Sequence, residues 1–254
     1  ADSVWSYIQK AEDVFLNDDY MIPIYQRAGV ALQNPDLTGL VSHLSGYDFT
    51  FKWASKADGS SIKMVEAEVI PTMDPTEATD TVSFLSLGNT MEGLVMQGPN
   101  ADYVNGVAES YSFDEATMTW TFNLNPNAVW VDSTGAVQRN VTAADFAYSW
   151  SRLQNSTTSQ YTFLLTDVAK ITAYEAVDDT TFTVTVSENV PYFLSNMAFP
   201  SFYPIAEENV NDTFGTTNVG QWYNGAFYMS TRTPTNVVWT KNANYWDASN
   251  VLPP

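Results

Sequence analysis

Histidine, cysteine and carboxylate side chains carry most acid–base, nucleophilic and metal chemistry, and this sequence uses them unevenly. It has one histidine, His43, no cysteine, and 29 aspartates and glutamates in 254 residues. A Ser-His-Asp triad would have to use His43, and no Gly-x-Ser-x-Gly elbow accompanies it. A lone histidine in a turn reads as structural. Cysteine catalysis, disulfides and thiolate metal sites are closed off. Gly59-Ser60-Ser61 lacks the lysine and the spacing of a phosphate-cradling loop. The acidic pairs Asp18-Asp19 and Asp178-Asp179 fall on expected turns, where aspartate bonds its own backbone. They lack the alternating ligands of a calcium loop. One catalytic reading survives, a carboxylate pair flanking a glycosidic bond, as in a secreted acidic glycoside hydrolase. The sequence singles out no pair for it. No catalytic residue, metal ligand or cofactor is therefore assigned.

Lysine and arginine number 10, so the formal net charge is −19. Nucleic-acid binding needs a basic footprint to neutralise phosphates, and an anionic membrane surface would repel this chain. No run of about twenty apolar residues is present, and the chain is expected to be soluble, without membrane insertion. Any export signal or lipid anchor is expected to belong to a longer parent. Aromatic residues make up 14% of the chain. Two readings stand for them: core packing, favoured for Trp120, Phe122, Phe146 and Trp150, or an aromatic-lined cleft for peptide side chains or sugars.

The elements that would position any site follow from periodicity. Val4, Ile8, Ala11 and Phe15 recur at helical spacing over 3–17, with Ser3 as a candidate cap. Short strands are expected at 22–26 and 29–33, and a strand or turn at 39–44. Phe49-Thr-Phe-Lys-Trp53 alternates as a strand does. Residues 62–69 alternate Val65, Ala67 and Val69 with Glu66 and Glu68, which predicts a strand with one wet face. A helix is expected at 81–90. A hairpin joins 111–113 to 120–124. Thr142-Ala-Ala-Asp145 is a capping-box-like start for a helix over 143–154, with Phe146, Trp150 and Leu153 as its apolar stripe. Short helices are expected at 160–165, at 191–197 behind Pro191, and at 206–210. Residues 181–186 read as a strand, 226–231 and 236–241 as a strand pair, and 252–254 as a loose tail. Interleaved helices, strands and hairpins imply a mixed α/β fold, not a simple doubly wound sheet.

Several stretches carry a resemblance. They are Met91-Glu-Gly-Leu-Val95, Val107-Ala-Glu-Ser-Tyr111, Trp120-Thr-Phe-Asn-Leu124, Trp130, and Thr142-Ala-Ala-Asp-Phe-Ala-Tyr-Ser-Trp-Ser-Arg152. Met73-Asp-Pro75 precedes them; Asn224-Gly-Ala-Phe-Tyr228 and Lys241-Asn-Ala-Asn-Tyr-Trp-Asp247 follow. In this order they resemble the solute-binding proteins of bacterial oligopeptide and dipeptide ABC importers. Residues 62–251 resemble that family's first lobe. Val4-Trp5 to Glu12, and Asp18-Asp-Tyr-Met-Ile-Pro23-Ile-Tyr25, resemble a segment near its C-terminus. The resemblance implies a circularly permuted first lobe, of designed or natural origin, with the second lobe excised. Residues 1–56 would be C-terminal-derived, 57–61 a flexible joint, and 62–254 N-terminal-derived, all in one structural domain. The fold implied is a type II periplasmic-binding-protein-like lobe with a central mixed sheet, flanking helices and extra β-hairpins.

Such proteins bind oligopeptides without chemistry, by β-augmentation of the peptide backbone in an interlobe cleft. The implied partners are an oligopeptide and, for a full-length parent, an ABC-importer membrane permease. The implied location is extracellular, as a Gram-positive cell-surface lipoprotein, or periplasmic. By the same resemblance Thr79, Asp80 and Thr81 would face the peptide backbone, Tyr161 would be a cleft aromatic, and Asn224 a polar cleft position. Arg27 falls where many relatives carry an aromatic, a departure from the pattern. Bland readings stand beside these: Thr79–Thr81 as a helix cap, Tyr161 as core, Asn224-Gly225 as a plain turn. A single lobe lacks hinge closure and is expected to bind weakly or not at all.

Overall fold

A computed structural model describes residues 2–18, 22, 24, 32–43, 46–66, 68–100, 102–218 and 220–254. The chain divides into two compact units, Ala1–Asn34 and Pro35–Pro254. The division falls between Asn34 and Pro35, whereas the expected joint at 57–61 lies inside the second unit. Within the first unit, Asp2–Asn17 forms helix α1, as its apolar spacing predicts. The strands expected at 22–26 and 29–33 fall largely outside the described residues, and so does Arg27.

The second unit opens with four two-residue strands, Leu37–Thr38 (β1), Val41–Ser42 (β2), Phe49–Thr50 (β3) and Ser55–Lys56 (β4). β1 pairs with β4 and β2 with β3, both antiparallel. The strand expected over 49–53 stops early. The Phe51 N–H is taken by the side-chain oxygen of Asn89 at 2.9 Å, and Ala54 turns back onto the Phe51 carbonyl. At 57–61 the chain turns: Gly59, at φ +66°, donates its N–H to the Lys56 carbonyl. The described residues of 62–69 form no ladder. Val65 is 94% exposed there, because no partner strand among the described residues covers the alternating face.

Helix α2 spans Thr81–Thr90, and Asp80 caps it by accepting the Ser83 N–H at 2.8 Å. Val95–Gln97 (β5) pairs with Tyr103–Asn105 (β6). Next come Ala108–Asp114 (β7), Thr119–Leu124 (β8), Val129–Val131 (β9) and Val137–Asn140 (β10). Helix α3 spans Ala143–Asn155; Asp145 accepts the Thr142 N–H at 2.9 Å, which closes the expected capping box. Ile171–Ala176 (β11), Thr181–Val186 (β12), helix α4 (Phe193–Met197), Phe227–Thr233 (β13) and Asn236–Lys241 (β14) complete the order. The helix expected at 160–165 is displaced to a π-helical turn, Leu164–Val168, and that at 206–210 is a 3-10 turn, Glu207–Asn209.

The largest sheet of described residues runs β11-β12-β8-β7. The central sheet was expected to be mixed; every one of these pairings is antiparallel. Alternation decides its faces: Phe122, Phe182 and Val184 point into the core, while Thr119 and Thr185 share a hydrogen bond on the other face. α3 covers the core face. Its Trp150 meets Phe182 edge-on at 5.0 Å and donates its indole N–H to the Phe202 carbonyl. Trp150→Ala would remove about 3–5 kcal/mol.

A second core joins the front of the unit to its end. Phe51 and Ala54 pack with Leu85, Ala226, Phe227, Tyr245 and Val251. The tail expected to be loose is held: Leu252 donates its N–H to the Lys52 carbonyl at 2.8 Å, and Val251 is buried.

Candidate functional site

The loop before α2 is built on Asp74. Its carboxylate accepts the Thr76 N–H, and its carbonyl accepts the N–H groups of Glu77 and Ala78. Arg152, at the last turn of α3, clamps that carboxylate with two bonds of 2.7 and 2.6 Å and reaches the Thr76 hydroxyl. The Phe214 ring lies 5.4 Å from the guanidinium. Burial lowers the Arg152 pKa, but pairing with Asp74 outweighs it and the net shift is upward. Bidentate geometry of this kind fixes orientation as well as charge.

The clamped loop presents Thr79 and Thr81, both exposed, with Asp80 half-buried between them. Tyr161 sits half-exposed against α2, its ring 5.8 Å from Phe84 and 5.4 Å from Phe199. Phe163, 46% exposed, continues the aromatic shelf. Glu77 links the two sides, accepting hydrogen bonds from Ser156 at 3.0 Å and Thr158 at 2.9 Å. On another flank of α2 lies a groove of about 930 Å³, lined by Met64, Val69, Val82, Leu85, Val237 and Trp239 among others.

Asn224 is elsewhere. It is 2% exposed, and its amide brackets the backbone of Glu92, accepting the N–H and donating to the carbonyl at 3.0 Å each. Gly225 beside it donates to the Thr90 carbonyl. The α2 helix, roughly 15 Å long at 1.5 Å per residue, separates this point from Thr79–Thr81. The structure thus brings Thr79, Asp80, Thr81 and Tyr161 to the front of α2 and puts Asn224 at its rear.

That rear end holds a buried charge cluster the sequence reading did not single out. Glu92 is 1% exposed; it accepts from the Tyr245 hydroxyl and, at 2.7 Å, from the Trp246 indole N–H. Lys52 donates to the Tyr245 hydroxyl at 3.0 Å and pairs with Asp247 at 2.7 Å. Desolvation pushes Glu92 up to about 7, against the pull of Lys52 and of both hydrogen bonds. A general acid must touch the bond it protonates, and Glu92 is sealed from solvent. The available signal was an acid inside the apolar run Met91-Glu-Gly-Leu-Val95. His43 bonds Thr50 at 2.6 Å, and burial lowers its pKa. Among the described residues no three metal-ligating side chains converge, and no helix is long and apolar enough to cross a membrane.

Taken together, the antiparallel sheet, flanking helices and hairpins form an α/β lobe of the type II periplasmic-binding architecture. The chain belongs to the bacterial extracellular solute-binding proteins of family 5: the model described as "Bacterial extracellular solute-binding proteins, family 5 Middle" matches residues 102–253. It is 29% identical over 203 residues to a dipeptide-binding protein of Lactococcus lactis, covering 72% of this chain and 36% of that protein. It is 30% identical to the periplasmic oligopeptide-binding protein OppA of Salmonella typhimurium, over 77% of this chain and 38% of that one. Among solved structures, the substrate-binding domain of an oligopeptide ABC transporter from Bacillus anthracis superposes with a TM-score of 0.67 at 33% identity. That match covers 73% of this chain and 38% of the other. Listeria monocytogenes OppA bound to peptide gives 0.65 at 29% identity, over 72% and 39%. The chain thus spans well under half the length of these relatives.

Proposed function

We propose that this chain is the peptide-binding lobe of an extracellular solute-binding protein serving an ABC importer. Family membership and the peptide-binding relatives support the class. The observation that carries the site is the rim of exposed Thr79 and Thr81 around half-buried Asp80, on the loop that Arg152 clamps through Asp74 and that Glu77 ties to the segment leading into Tyr161. Threonine hydroxyls and free backbone groups suit an extended peptide main chain, which asks for hydrogen bonds and not for a side-chain sequence. The Asp80 carboxylate already caps α2, so the helix start favours an amino group over a carboxylate. Tyr161 offers a ring face to an apolar side chain. Asn224 acts from behind, by fixing the backbone of Glu92.

In this reading residues 1–56 derive from the C-terminal part of such a protein and 62–254 from its N-terminal part, joined at 57–61 into one lobe. Packing of Phe51 and Ala54 on Phe227 and Tyr245 supports that layout for residues 35–56. The ligand is an oligopeptide, the downstream partner a membrane permease, and the location the outer face of the cell envelope. Residues 1–254 by themselves would supply one lobe without hinge closure, and weak binding is expected of them. Titration calorimetry with tetra-alanine tests this: dissociation constants above micromolar are expected. Sub-micromolar binding contradicts the single-lobe reading. Cleavage of a chromogenic glycoside, lost on changing one carboxylate to its amide, would favour the glycoside hydrolase instead.

A further inference from the structure

We infer that Glu77 is a positioning residue that sets the spacing between the Thr79–Thr81 rim and the Tyr161 shelf. The inference rests on the peptide-binding reading above and adds a role for a residue that does not itself touch the peptide. Glu77 sits one residue past Thr76, where Arg152 holds the loop. Its Oε1 accepts from both the Ser156 and Thr158 hydroxyls. The Ser156 hydroxyl in turn accepts the N–H groups of Thr158 and Ser159 at 3.2 and 2.9 Å. The Ser159 hydroxyl accepts the Tyr161 N–H at 3.2 Å. A continuous chain of hydrogen bonds therefore runs from the rim loop to the backbone of Tyr161, and Glu77 is its only side-chain link on the rim side among the described bonds. One carboxylate oxygen serves both hydroxyls, so charge is not required for the geometry. An amide oxygen of the same shape fills the same role.

That property separates positioning from direct contact. A carboxylate that paired with the ammonium group of a peptide would lose its value on conversion to glutamine. A carboxylate that only accepts two hydroxyl bonds would not.

The test is amide NMR of the full chain titrated with millimolar tetra-alanine, following Thr79–Thr81 and Tyr161, alongside thermal melts. Wild type is expected to show saturable shifts at both groups. Glu77→Ala is expected to weaken binding about tenfold, the scale of one ordinary hydrogen bond. Glu77→Gln is expected to stay within about twofold of wild type, since the amide oxygen still accepts. Should Glu77→Ala fail to fold, the double variant Ser156→Ala, Thr158→Val removes the same donors and carries the same expectation. Wild-type affinity in Glu77→Ala overturns the inference, and so does a loss in Glu77→Gln equal to that in Glu77→Ala. A wild-type chain whose Thr79–Thr81 and Tyr161 amides do not move is a different failure. It removes the peptide-binding reading itself, and this one with it.

Discussion

Raising the pH from 5 to 8 should destabilise this protein through one side chain. Glu92 is displaced from the ordinary 4.5 of a glutamate to about 7, chiefly by desolvation. Its folded form therefore holds a proton across a window in which the unfolded form has released it. Stability from this group is complete below 4.5, falls as pH rises, and is gone above 7. At 1.36 kcal/mol per unit, the displacement corresponds to about 3 kcal/mol. His43 works in the opposite direction, because burial lowers its pKa and favours the neutral ring as pH rises. Glu208 is held down to about 2 by Arg139, so its effect falls at more acid pH and leaves this window alone. Comparison with Glu92→Gln isolates the term, since His43 is common to both proteins. Urea denaturation at half-unit steps should show the wild type losing about 2.5 kcal/mol more than the variant between pH 5 and 8. An identical pH dependence in the variant would show that Glu92 does not carry the raised carboxyl.

Three substitutions probe the neighbouring contacts. Lys52→Met leaves Asp247 without its partner in a site where Lys52 is 4% exposed. It should cost about 3–5 kcal/mol by urea denaturation, with the larger loss at pH 8, where Glu92 is also ionised. Arg152→Ala strands the buried Asp74 and should cost about 3 kcal/mol; Arg152→Lys should recover only part of it, lacking the two-pronged grip. Gly225→Ala would place a Cβ 2.7 Å from the Thr90 carbonyl carbon and 2.8 Å from the Met91 nitrogen. Backbone atoms yield little, so a loss of about 1–3 kcal/mol is expected in thermal melts.

How far the sequence foretold the molecule depends on whether a feature is local. α1, α2 and α3 were legible because spacing and caps are written within a few residues, as Thr142 and Asp145 show. The β7–β8 hairpin and β12 were legible because alternation is strong there. The strand expected at 49–53 was cut short by Asn89, whose side chain takes the Phe51 N–H from 38 positions away. The tail looked loose because its anchor, the Lys52 carbonyl, lies at the other end of the unit. Residues 62–69 alternate well, yet a ladder also needs a neighbour, and the described residues supply none.

The candidate site divides along the same line. Thr79–Thr81 and Tyr161 were named from motifs, and the Asp80 cap lies within the motif itself. The Arg152–Asp74 clamp joins two motifs 78 positions apart, and only the fold could say that they meet. Glu92 lies further from prediction, since its partners Tyr245 and Trp246 stand 153 and 154 positions on. A buried acid is costly unless it is bonded, so its cost is met by residues near the end of the chain and by Lys52 near the front of the unit. The two ends of α2 thus answer to different constraints. The front keeps hydroxyls and an aromatic ring open to solvent. The rear spends a lysine, two acids and two aromatic donors on fixing the strand at 49–50 and the tail at 245–252 to one core. A lobe tied together at the rear can leave its front open, and that division of labour is what a binding surface on a rigid support requires.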